Sequence, residues 1–198
     1  RALFQEGGDS LLRIVARRGD VLGSALGRQL VGPGGFESLP GQAADVAKGT
    51  FYLYFPTKEH LLAALRQRFV ASFGDELQRG MDRRPAGDWL GRLRVWVETA
   101  VRLHFERLAL HDVVFHDFRV EDRRLKKDDN VIIDRLAMFL EQGKRARAWS
   151  VADSRLMAVM LFHAFHGAVD EVASTDRIKH VRVTRSLQTF FRRAVAPG

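Results

Sequence analysis

The chain has no cysteine among its 198 residues. Disulfides, thiolate metal sites and cysteine nucleophiles are therefore excluded, and a reducing compartment fits. No run approaches the roughly 18 apolar residues that a membrane-spanning helix needs, and the first residues lack the basic-then-apolar order of a secretion signal. A cytoplasmic protein with no membrane partner is the expectation. Strand-like alternation never persists, and no internal repeat, heptad run or low-complexity tract is present. A glycine-rich phosphate loop and a sequence-local catalytic triad are missing too. The chain is accordingly expected not to be an enzyme and to carry no cofactor.

What is present is an excess of positive charge, +8 at neutral pH, which invites a nucleic-acid partner because Lys and Arg displace counterions from phosphates. Its distribution does not locate a site. Residues 1–80 hold ten Lys and Arg against eight Asp and Glu, so +6 of the total lies in residues 81–198.

From Pro56 onward apolar residues recur at three- and four-residue steps, which predicts an all-α fold. Leu61, Leu62, Leu65, Phe69, Val70, Phe73 and Leu77 trace one stripe of a long helix that starts after Thr57. The segment MDRRPAGD at 81–88 interrupts the pattern, and Asp88 can cap a second amphipathic run carrying Leu90, Leu93, Trp96, Val97, Ala100, Val101 and Phe105. A short helix is expected over 113–118 and another over 131–140. Residues 153–173 are apolar nearly all round, so that helix needs cover on more than one face. The last helix, about 178–195, repeats the demand with Ile178, Val181, Leu187, Phe190, Phe191 and Val195.

The stretch VAKGTFYLYFPTKEHLL, residues 46–62, sets four aromatic rings beside a lysine, a glycine and a threonine. In a short helix from Val46 to Phe55, Phe51 and Phe55 are four apart and share an inner face. Lys48, Thr50, Tyr52 and Tyr54 remain outside, one cation and three hydroxyls that can bond phosphate oxygens and base edges. Pro56 ends the helix, and Lys58 falls near the positive end of the next one. From periodicity alone, an aromatic-rich helix of this kind fits a buried role equally well.

In its order of residues this stretch resembles the recognition-helix signature of the TetR family of transcriptional regulators. It covers the end of a helix-turn-helix and the start of the fourth helix, while the rest of the chain is similar in size and helix layout only. The resemblance implies a small N-terminal helix-turn-helix domain, residues 1–80, and a larger C-terminal helical domain for ligand binding and dimerisation, residues 81–198. It implies that Lys48, Gly49, Thr50, Tyr52, Tyr54 and Lys58 form the DNA-binding set, with Thr50 and Lys48 at base edges or nearby phosphates. The implied function is that of a repressor released from a palindromic operator in double-stranded DNA by a small-molecule effector. The implied assembly is a homodimer through the last two helices, about 153–195. One departure stands: ESLPGQAADVA leaves too little chain between Phe36 and Lys48 for a complete second helix. Either residues are missing from this stretch or the domain is degenerate, and the first is the expectation.

Candidate effector-pocket residues are Trp96, His104, Phe115, His116, Phe139, Phe162, His163 and His166, with the reservation that pockets and cores are lined by the same residue types. No resident metal is expected. A rival reading uses His163, His166 and Asp170, at i, i+3 and i+7 on one helix face, with His104 and His111, to build a metal-responsive regulator. A third reading is a protein-binding helical adaptor with a degenerate DNA-binding domain.

Overall fold

The computed structural model describes residues 58–108, 111, 126–172 and 177–196. Among the described residues the secondary structure is entirely helical: α1 (Lys58–Asp82), α2 (Trp89–Glu106), α3 (Lys126–Arg145), α4 (Ser154–Glu171) and α5 (Arg177–Val195). The fold is all-α, as the periodicity predicts. The expected short helix over 113–118 lies outside the described residues.

The chain divides into two compact units. One takes Val70–Glu106 and the chain from Lys126 onward; the described residues of the other are 58–69, 107, 108 and 111. In this second unit Leu65 and Phe69 are buried, and Phe69 meets the ring of His111 edge-on at 6.1 Å.

In the larger unit, α1 buries Val70, Phe73, Leu77 and Met81 at steps of three and four. Met81 extends the predicted stripe by one turn, into the segment expected to break it. Two glycines let α1 approach its neighbours. A Cβ at Gly74 would meet Ile132 and Arg135 of α3, and one at Gly80 would stand 3.0 Å from the Thr99 hydroxyl of α2. Ion pairs between Arg135 and Asp75 (2.8 Å) and between Arg92 and Asp82 (3.2 Å) fasten the same contacts.

The Asp88 carboxylate accepts the backbone N–H of Gly91 at 3.0 Å, the predicted cap of α2, and Arg84 donates to it from Nε at 2.9 Å. Those bonds, the Arg84 one first, hold the Asp88 carboxyl below its ordinary pKa. Asp153 caps α4 in the same way through the Leu156 N–H at 2.9 Å. The turn after α3 places Arg147 at φ 57°, an uncommon conformation for a side-chain-bearing residue.

α3 packs on α4, α2 packs on α5, and α4 touches both α5 and α2. At the Trp89 end of α2 the rings of Trp89, Phe139 and Trp149 meet at 5.4–5.8 Å. The Arg92 guanidinium lies over Trp89 and Phe139, and the Trp149 indole N–H donates to the Leu140 carbonyl at 2.7 Å. The one polar atom of the Trp149 ring is thereby satisfied, which suits a core position.

Candidate functional site

The other end of α2 has different chemistry. Leu93, Trp96, Val97, Ala100, Val101 and Leu103 bury successive turns of this helix, and the same periodicity carries His104 inside. Its ring is almost fully buried and meets Phe105, Phe165 and His166 edge-on, at 5.3, 6.0 and 6.5 Å. Its Nε2 stands 3.9 Å from a carboxylate oxygen of Asp170, an electrostatic contact that strengthens whenever the ring is protonated.

His166 comes from α4, one turn after Phe162. It tilts over the Phe162 ring at 4.3 Å and meets Phe165 at 5.0 Å. Its Nδ1 is 3.2 Å from the Phe162 carbonyl. Because a carbonyl only accepts, that bond fixes the proton of the neutral ring on Nδ1 and leaves Nε2 as an acceptor. From α5, His180 stacks flat on Phe105 at 3.6 Å, and its backbone carbonyl accepts the Thr184 hydroxyl at 2.8 Å. Three helices thus bring three imidazoles among phenyl rings.

The predicted pocket residues do not all converge here. His104, Phe162 and His166 do. Trp96 is buried, stacked on Phe191 at 5.7 Å and edge-on to Phe165 at 5.9 Å, and belongs to the core beside this end. Phe139 belongs to the separate cluster with Trp89 and Trp149. His163 is exposed on the outer side of α4. Phe115 and His116 lie outside the described residues, as do Lys48, Gly49, Thr50, Tyr52 and Tyr54. Lys58 is the first residue of α1, at the helix end where the sequence expects it.

Among the described residues no group of three or more His, Asp or Glu side chains could hold a metal ion. Spacing along α4 groups His163, His166 and Asp170 on one side, yet His163 points outward while His166 turns in over Phe162. His180 is not among the residues that the sequence singles out. The available signal was His180 lying three, seven and eleven residues before the buried Val183, Leu187 and Phe191, on the inner side of α5.

No helix among the described residues is long and apolar enough to cross a membrane. A family model described as bacterial regulatory proteins, tetR family, matches residues 41–65. No curated protein matches the chain in sequence. Among solved structures, a TetR-family transcriptional regulator from Pectobacterium atrosepticum is similar with a TM-score of 0.77 at 17% identity, covering 98% of this chain and 97% of that one. A putative tetR family transcription regulator from Shewanella sp. PV-4 gives 0.67 at 18% identity, covering 96% and 98%. The transcriptional regulator FadR from Bacillus subtilis, solved in complex with stearoyl-CoA, gives 0.69 at 18% identity, covering 92% and 98%. At these identities the structural likeness is one of fold.

Proposed function

We propose that this chain, which carries the tetR-family signature over residues 41–65 on the fold of tetR-family regulators, is a dimeric repressor that leaves a palindromic operator when a small molecule binds. The observation that carries the DNA-binding part is the matched segment itself, which contains Lys48, Gly49, Thr50, Tyr52 and Tyr54 and extends past Lys58. Thr50 and Lys48 read base edges or adjacent phosphates, Tyr52 and Tyr54 hold the backbone, and Lys58 neutralises a phosphate at the start of α1.

One short helix reads few base pairs, so tight specific binding needs a second copy related by a two-fold axis. The surface proposed for that pairing is the outer stripe of α4 with Phe190 of α5. Leu156 and Met160, one turn apart, are 54% and 48% exposed, and Phe190 is 48% exposed. Farther along the same stripe a Cβ at Gly167 would meet nothing within 4 Å, which leaves room for a close approach. Large apolar side chains aligned along one helix face suit a partner better than water.

The effector is proposed to bind at the His104 end of α2, where His104, Phe162 and His166 converge, and to favour a dimer whose reading helices are wrongly spaced for the operator. Only a difference in its affinity for the two states can move that balance. The complex of Bacillus subtilis FadR with stearoyl-CoA makes acyl thioesters a first class to screen.

Selection of random DNA duplexes on the purified protein tests this reading. A recovered palindrome is expected, with affinity that falls steeply with salt. Lys58→Ala should lower the salt slope by about one ion, and Thr50→Ala or Tyr52→Phe should weaken binding without moving the melting temperature. A recovered pool with no shared sequence would overturn it.

A further inference from the structure

α5 carries Arg177, Lys179, Arg182, Arg185, Arg192 and Arg193 and no Asp or Glu. That single helix matches the whole net charge of +6 in residues 81–198. Most other arginines of the larger unit have carboxylate partners; Arg84, Arg92, Arg102, Arg135, Arg145 and Arg155 pair with Asp88, Asp82, Glu106, Asp75, Glu141 and Asp134. Arg94, Arg185 and Arg192 form no such pair among the described residues.

These three border one groove of about 330 Å³ between the first half of α2 and the second half of α5. Arg84 stands at its rim with its charge taken up by Asp88, and Leu90, 49% exposed, supplies an apolar wall. No carboxylate is among the lining residues. Gln188 ties the two walls by donating to the Arg94 carbonyl at 3.4 Å.

A guanidinium does not lose its proton in a protein, so repulsion among the three cannot be relieved by titration. A bound anion relieves it. One carboxylate would answer a single guanidinium, whereas a phosphate monoester brings roughly two negative charges at neutral pH and three acceptor oxygens that fit arginine forks. We propose that this groove binds a small amphipathic phosphate ester, its phosphate between Arg94, Arg185 and Arg192 and its apolar group along Leu90. The volume suits a small molecule. Farther along the same two helices a second groove includes Glu98 and Glu106 in its lining, beside Arg94, Arg102 and Arg185, so carboxylates enter only beyond the proposed phosphate position. The groove is distinct from the proposed pairing stripe, because Phe190 lies about 140–160° around α5 from Arg185 and Arg192.

Calorimetric titration of the full chain with hexyl phosphate, inorganic phosphate, hexanol, anionic phospholipid vesicles and random duplex DNA tests the proposal. Saturable binding of one hexyl phosphate per chain is expected, tighter than inorganic phosphate, with no response to hexanol. Arg185→Gln combined with Arg192→Gln should weaken it by about tenfold or more, the loss expected for charged hydrogen bonds. Both side chains are exposed, so the unliganded melting temperature should stay at the wild-type value. Leu90→Glu, also at an exposed position, is the second variant and should weaken binding too. Equal affinity in wild type and both variants, absence of saturable binding, or a response to vesicles or duplex alone would overturn it.

Discussion

α4 and α5 are neighbours of almost equal length, 18 and 19 residues, and both bury a regular apolar side. Their outward sides differ. α4 shows Leu156 and Met160, aligned with His163 and Gly167, while α5 shows a series of cations interrupted by Val181 and Phe190. An apolar stripe is best covered by another apolar surface, and like charges repel a second copy of themselves. The contrast supports the proposed pairing through α4 and leaves the α2-facing flank of α5 for the proposed anion.

Changes that invert the character of α4 should have the largest effect. Leu156→Glu with Met160→Glu is expected to give a monomer by sedimentation and to lower operator affinity about 100-fold or more, the scale on which joined sites lose avidity. Arg185→Gln with Arg192→Gln should leave the dimer intact. A dimer that survives the first pair and fails with the second would reverse the assignment.

Next in size is a change behind α4. Trp149 lies in the connection from α3 to α4, and a Cβ at Gly143 would overlap its indole ring. Gly143→Ala should therefore destabilise the larger unit by about 1–3 kcal/mol through overpacking, read as a lowered melting temperature. Removing the cap of α4 with Asp153→Ala should cost about 1 kcal/mol in denaturant unfolding.

The smallest effect concerns pH. Glu141 of α3 accepts the hydroxyl of Ser154, the first residue of α4, at 2.9 Å. That bond, followed by the one from Arg145, holds the Glu141 carboxyl below its ordinary pKa. A carboxyl depressed in the folded state gives its full stabilisation above the unfolded pKa and loses it as pH falls through the lowered folded value. Melting temperature measured through the acid range should fall less steeply in Glu141→Gln than in wild type. Equal slopes would remove Glu141 from the tie between α3 and α4.

Local signals made much of this legible in the sequence. Asp88 caps as its position before an apolar run implies, because a cap depends on the next three residues only. The inner stripe of α1 from Leu65 to Leu77 was readable from its three- and four-residue spacing, while the side chains of Leu61 and Leu62 lie outside the described residues. Apolar content alone misled at α5, where Val181 and Phe190 were grouped with Leu187, Phe191 and Val195. The helical period puts the last three, with Val183, on one side and leaves the other two on flanks. At the candidate effector site, His104 and His166 were legible as polar residues on apolar helices. The place of Phe139 in a different cluster was not, because it depends on how α2 and α3 meet Trp149, 10 residues farther along the chain.

Light scattering of the complex with a selected palindromic duplex tests the central claim, that this chain reads DNA as a pair joined through α4. The account predicts two chains of 22.4 kDa per duplex for wild type and no stable complex for Leu156→Glu with Met160→Glu at the same concentration. One chain per duplex in wild type, or an unchanged two-chain complex in the variant, would contradict it.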